Sequence, residues 1–200
     1  MLPSAGIDVP VLPKIHLVAI VSPWVGSTIY HTFMDHRAGQ HLYDNLLRVD
    51  MLGIWIAQAF GGLIEVYTLL SCLSVGWCCF WLGVYGAISI HCLYKGITAR
   101  TLWDRRLCFV GPCIMRILSL FLRFISWGGG HPNAFRYILA HDVLAVLGGV
   151  AGATKLPEKW FPGKFDLVGN SHNIMHIVVL ASVYQLHQGA VLDLVWLSNQ

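Results

Sequence analysis

Long apolar runs, separated by short polar stretches, follow one another along most of this 200-residue chain. A transmembrane helix needs about 20 mainly apolar residues, and six segments reach or approach that length. They are residues 15–34, 51–70, 73–94, 107–127, 137–154 and 173–197. The pattern predicts an all-α fold, a polytopic transmembrane helical bundle of six spans, with residues 1–200 forming one transmembrane domain.

Composition supports a membrane protein and argues against a soluble one. Hydrophobic residues make up 56% of the chain and charged residues only 12%, whereas a soluble domain carries about 25% charged residues. A formal net charge of +3 without any run of five or six like charges also argues against a nucleic-acid partner. The bilayer is therefore the partner that composition predicts.

The distribution of basic residues predicts the orientation in the membrane. Connections 35–50, 95–106 and 155–172 follow the first, third and fifth spans and hold nine of the thirteen lysines and arginines. The two residues between the second and third spans include neither lysine nor arginine. Loops rich in lysine and arginine face the cytosol, so these three connections are predicted to be cytosolic.

Several ionisable residues are predicted to lie at one depth, near the cytosolic ends of three spans. His31 is close to the end of the first span, Asp50 immediately precedes the second, and His172 and His176 flank the start of the sixth. Such residues are costly inside a membrane, and they commonly mark functional sites. The sequence therefore predicts that these four groups belong to one site.

The spacing of these residues fits a metal site. His172 and His176 are four residues apart, which places both rings on one helix face about 6 Å apart along the axis. Ser27 precedes His31 by the same interval. With ten histidines in the chain, about half an H-x-x-x-H pair is expected by chance. The pair alone would equally fit two solvated interfacial histidines, and the matching depth of His31 and Asp50 is what favours a metal.

Three neutral histidines with a fourth position left for water are typical of a catalytic zinc site. A nearby carboxylate such as Asp50 can act as the general base that takes a proton from that water. The H-E-x-x-H signature is absent because Asn173 follows His172, which disfavours a metalloprotease of that type.

Four segments of the chain resemble the progestin and adipoQ receptor (PAQR) family. They are Ser27–His31, Val49-Asp50, Phe161–Asp166 and Ser171–His176. The resemblance implies a zinc ion on the cytosolic side held by His31, His172 and His176, with Asp50 at the zinc-bound water and Ser27 beside it. It also implies seven helices, so the family's first helix is expected to have no counterpart in this chain. A Golgi, other endomembrane or plasma-membrane location is expected.

Two kinds of function, that of an enzyme and that of a receptor, fit these sequence features. The first, which the resemblance implies, is a zinc-dependent lipid amidohydrolase, similar to a ceramidase and linked to receptor signalling, with Asp50 and Ser27 as catalytic residues and a ceramide-like lipid as substrate. The second is a membrane receptor or regulatory protein in which the zinc is structural. A transporter is a weaker alternative, because neither internal repeats nor paired broken helices are visible.

Overall fold

The computed structural model describes residues 10–37, 39–99 and 101–200, so Arg100, which contributes to the predicted orientation, lies outside it. All regular secondary structure in the described residues is helical, which confirms the all-α prediction. These described residues form seven helices: α1 (Leu12–Phe33), α2 (Gln40–Leu70), α3 (Val75–Thr98), α4 (Leu102–Leu107), α5 (Val110–Phe124), α6 (Ala134–Thr154) and α7 (Ser171–Leu197).

Five of these helices are long and apolar enough to cross a membrane, within the described part of the chain. They are α1, α2, α3, α6 and α7, with 21 to 31 residues each. At 1.5 Å per residue, each of them matches or exceeds the hydrocarbon thickness of about 30 Å. Five of the six predicted spans therefore correspond to helices of membrane-spanning length.

The fourth predicted span, 107–127, differs from the helix that forms there. Helix α5 has 15 residues, which corresponds to about 22 Å. Its apolar side chains point outward, as at Phe124, whereas Arg116 and Arg123 are buried. Arg116 donates to the Gln58 side chain at 2.8 Å, and its Nε lies 3.7 Å from a carboxylate oxygen of Glu65. Helix α5 is shorter than the predicted span because the chain turns at Cys108 and Phe109 before it, and again at Ile125 and Ser126, where Ser126 has a φ of 59°.

Helix α2 begins at Gln40, well before the predicted start of the second span at residue 51. Its first turns are polar, and Gln40 donates to the Asp44 carboxylate one turn later at 3.0 Å. Such pairs four residues apart stabilise an exposed helix end. Asp50 consequently lies inside α2 rather than at its beginning.

Two compact units make up the chain, and the first extends to Gly130 and includes Asp193–Gln200. Glycines allow α1 and α2 to pack closely in this unit. A Cβ on Gly53 would lie 2.5 Å from the carbonyl oxygen of Ser22, and the Ser22 hydroxyl donates to the Gly53 carbonyl at 3.0 Å. Arg123 also holds Asp193 through two hydrogen bonds of 2.6 and 3.0 Å. Close backbone contact and buried charge pairs are how helices associate in lipid.

The second unit comprises residues 131–192 and is built from α6 and most of α7. Buried His141 and Ser182 join the two helices: the Ser182 Oγ lies 2.7 Å from His141 Nδ1 and donates to the His141 carbonyl at 2.9 Å. Near the start of α7, the two helices are in contact where Met175 packs on Gly152, and a Cβ on Gly152 would lie 2.9 Å from the Met175 sulfur. Met175 precedes His176, so this packing helps to fix the histidine pair.

Candidate metal centre

The second unit brings His172 and His176 together on the first two turns of α7. Their Nε2 atoms are 3.0 Å apart, and the ring planes are nearly perpendicular, with centroids 4.5 Å apart. His172 is exposed and His176 is half-buried. The predicted four-residue spacing therefore places two imidazole nitrogens close to one point.

Capping interactions fix where α7 begins. The Asn170 side-chain oxygen accepts from the Asn173 amide at 2.9 Å, and the Asn173 side-chain oxygen accepts from the Gly169 amide at 3.0 Å. Asn at the N-cap satisfies amides that a helix start leaves without intrahelical partners. These hydrogen bonds fix the first turn of α7, which carries His172.

Glu158 adds a second brace at the same helix start. Its carboxylate accepts from the Ser171 amide at 2.8 Å and also from the Ser171 hydroxyl. These hydrogen bonds, led by that of the hydroxyl, hold the pKa of Glu158 below its ordinary value of 4.5. A negative charge at a helix N-terminus is also favoured by the helix dipole.

Sequence reasoning missed these bracing residues. The sequence pattern singles out Asn173 only because it breaks the H-E-x-x-H signature, and it predicts no role for Glu158. The spacing of Asn170 and Asn173 was the available signal, since a polar N-cap followed three residues later by a second polar side chain is typical of a helix start. The contact between Glu158 and Ser171 spans 13 residues of an irregular loop, and a local pattern does not reveal it.

The first unit holds the other predicted site residues, Ser27, His31 and Asp50. Ser27 and His31 are one turn apart on α1 and share a face. Gly26 allows α2 to approach at this level, since a Cβ there would lie 2.8 Å from the Val49 carbonyl oxygen and 3.2 Å from the Asp50 Cα. The Asp50 carboxylate is half-buried at this level. A serine, an imidazole and a carboxylate thus lie near one another where α1 crosses α2.

Aromatic side chains support this end of α1. The hydroxyl groups of Tyr30 and Tyr43 are hydrogen-bonded at 3.0 Å, which joins α1 to the first turns of α2. The Tyr30 ring packs edge-on against His31, with ring centroids 4.8 Å apart. The early start of α2 is what makes Tyr43 available for this contact.

The histidine pair fits zinc in donor type and spacing. Two imidazole ligands of a tetrahedral zinc ion, each about 2.0–2.1 Å from it, have nitrogens about 3.3 Å apart. The observed separation of 3.0 Å between the two Nε2 atoms is close to that value. His31 is the third imidazole that the sequence pattern assigns to the same ion.

Apolar helices of membrane-spanning length, with polar side chains at helix ends, define the chain as a multi-pass helical membrane protein. Residues 10–186 match the family model described as haemolysin-III related. The chain belongs to this family, to which the progestin and adipoQ receptors also belong.

Individual relatives agree with this assignment. The chain is 35% identical to human progestin and adipoQ receptor family member 4 over 189 residues, covering 92% of this chain and 67% of the relative. Identity to the mouse protein of the same name is 36% with the same coverage. The rice heptahelical transmembrane protein ADIPOR3 is 30% identical over 76% of this chain and 39% of its own length. The predicted resemblance to the PAQR family is therefore confirmed.

Proposed function

We propose that this chain is a zinc-dependent lipid amidohydrolase that cleaves the amide bond of a ceramide-like lipid. His31, His172 and His176 are the proposed zinc ligands, and Asp50 and Ser27 are the proposed catalytic residues. The observation that carries the proposal is the 3.0 Å separation of two imidazole nitrogens at the start of α7, in a chain that belongs to this membrane family.

Zinc, when bound, polarises a carbonyl group and makes a water molecule more acidic. The Asp50 carboxylate then accepts a proton from the attacking water and delivers it to the amide nitrogen. The carbon–nitrogen bond breaks, and the products are a fatty acid and a sphingoid base. The proposed role of the Ser27 hydroxyl, one turn from His31, is to orient the reacting groups by hydrogen bonding.

The position of the residues favours a lipid substrate. Four of the five residues lie within about two turns of an end of α1 or α7, whereas Asp50 lies inside α2 and approaches α1 at Gly26. The distribution of lysine and arginine predicts that these ends of α1 and α7 face the cytosol. A ceramide places its amide group at the boundary between acyl chains and water. The proposed site therefore lies at the depth where the scissile bond is found, in the Golgi, another endomembrane or the plasma membrane.

Turnover by the purified chain tests this function. The chain is reconstituted in lipid nanodiscs that contain ceramide, and the released sphingoid base is quantified by mass spectrometry for the wild type, Asp50→Asn and the control Asp44→Asn. Asp44 is an exposed carboxylate on the same helix. Asp50→Asn is expected to lower the rate by about 10²- to 10⁴-fold, the usual contribution of a general base, with bound zinc unchanged. Asp44→Asn is expected to keep the wild-type rate.

The second candidate is a receptor with a structural zinc ion, and the names of the relatives favour it, because two of them are called progestin and adipoQ receptors. A structural ion stabilises the fold without hydrolysis. Zinc removal that lowers the melting temperature, together with wild-type protein that releases no sphingoid base, would support this receptor and contradict the hydrolase.

A further inference from the structure

The loop between α6 and α7, residues 155–170, presents large apolar side chains to its surroundings. Leu167 is 90% exposed, Val168 80% and Trp160 68%. Several large apolar side chains this exposed within one short loop indicate an interaction surface. This surface is separate from the proposed zinc ligands and does not depend on the proposed function.

Internal hydrogen bonds order this loop. The Lys159 amide donates to the Lys155 carbonyl at 2.9 Å, and the Asn170 side chain donates to the Asp166 carbonyl at 3.2 Å. Glu158 fastens the loop to the start of α7 through Ser171. These hydrogen bonds therefore order the backbone of the loop near its two ends.

The charges of the loop are arranged asymmetrically. Its three lysines, Lys155, Lys159 and Lys164, are all exposed. Its two acidic side chains accept internal hydrogen bonds: Glu158 from Ser171, and Asp166 from the Gly163 amide at 3.3 Å. The loop therefore carries a net positive charge, since three exposed lysines outnumber its two acidic side chains.

The position of the loop indicates which kind of partner it contacts. Both helices that it joins, α6 and α7, are long and apolar enough to cross a membrane, so the loop begins and ends at a bilayer surface. Tryptophan, aliphatic side chains and lysine together are typical of segments that lie in the headgroup layer. The leaflet that attracts lysines is the anionic cytosolic one, on the side where the basic residues predict this loop to lie.

We propose that residues 155–170 form an anionic-lipid-binding loop, which inserts Trp160, Leu167 and Val168 into the headgroup layer and places Lys159 and Lys164 on lipid phosphate groups. The partner is an anionic phospholipid of the bilayer that holds the chain. Lys164 already lies 5.9 Å from the centre of the Phe161 ring, so positive charge and apolar surface are adjacent in this loop.

Site-specific photo-crosslinking tests the proposal on the full chain. p-Benzoylphenylalanine replaces Leu167 in the loop or, as a control, Ile177, which is exposed on α7. The protein is irradiated in nanodiscs with equal amounts of phosphatidylserine and phosphatidylcholine, and the adducts are identified by mass spectrometry. The probe at 167 is expected to favour phosphatidylserine by about fivefold or more, the factor expected for one lysine near an anionic surface. The probe at 177 is expected to show no headgroup preference.

Charge variants complete the test. Combining Lys159→Gln with Lys164→Gln is expected to reduce the preference at position 167 to that at position 177, whereas Lys14→Gln, an exposed lysine on α1, leaves it unchanged. Adducts at 167 that show no headgroup preference would overturn the proposal. Adducts with another protein or a second copy, or the absence of adducts while position 177 reacts, would overturn it as well.

Discussion

At the scale of single residues, Glu158 in the loop 155–170 braces the start of α7, the helix that carries His172 and His176. Its carboxylate accepts two hydrogen bonds from Ser171, and its pKa is held below 4.5 by those bonds. A carboxylate whose pKa is lowered in the folded protein stabilises the fold at pH values above its unfolded pKa. That contribution is lost as the pH falls below 4.5 through the folded pKa.

The start of α7 should therefore loosen at acidic pH. Protection of the amides of residues 171–174, measured by hydrogen exchange and corrected for the intrinsic rate, is expected to fall between pH 6 and about pH 3.5. Glu158→Ala should lower this protection several-fold at pH 7 and abolish its pH dependence. The start of α6, around Ala134, serves as the internal control. Unchanged protection in Glu158→Ala would show that the carboxylate does not brace the helix.

At the scale of helices, Gly26 determines how closely Asp50 approaches α1. Even one methyl group at this position would meet the Val49 carbonyl oxygen at 2.8 Å, and a backbone atom cannot move as a side-chain end can. The position of the Asp50 carboxylate beside Ser27 and His31 depends on the absence of a side chain at Gly26.

Gly26→Ala is expected to displace α2 from α1 and to lower the free energy of unfolding by about 1–3 kcal/mol, the usual cost of overpacking. Displacement of Asp50 by about 1 Å should also lower ceramide turnover by about 10²-fold. Gly83→Ala on α3 is the matched control, because a Cβ there has open space. Thermal unfolding and turnover of both variants measure these effects. Equal behaviour of the two variants would contradict the role assigned to Gly26.

Helix boundaries show where local sequence patterns suffice and where they fail. Hydropathy located α1, α3, α6 and α7 to within a few residues because lipid-facing helices must be apolar over a membrane thickness. It missed the polar first turns of α2, which depend on side-chain pairs such as Gln40 with Asp44. It also overestimated the length of α5, because the turns at Cys108-Phe109 and at Ile125-Ser126 interrupt an apolar run without a proline to mark them.

At the scale of the whole molecule, family membership was predictable because its motifs are local and ordered along the chain. The candidate site was predictable in part: the proximity of His172 and His176 follows from helix geometry alone. The approach of Asp50 to α1 depends on Gly26, and the bracing by Glu158 depends on a loop contact, so tertiary packing decided both. Joint binding of one zinc ion by His31 and the pair remains a prediction.

The number of zinc ions bound per chain directly tests whether His31, His172 and His176 hold one ion. Elemental analysis is made on purified wild type, His31→Ala, His172→Ala and the control His41→Ala, an exposed histidine of α2, after circular dichroism has verified equal helix content. We expect one zinc ion per chain in the wild type and in His41→Ala, and loss of most of the zinc in the other two variants. One zinc ion per chain retained in either His31→Ala or His172→Ala would contradict this expectation.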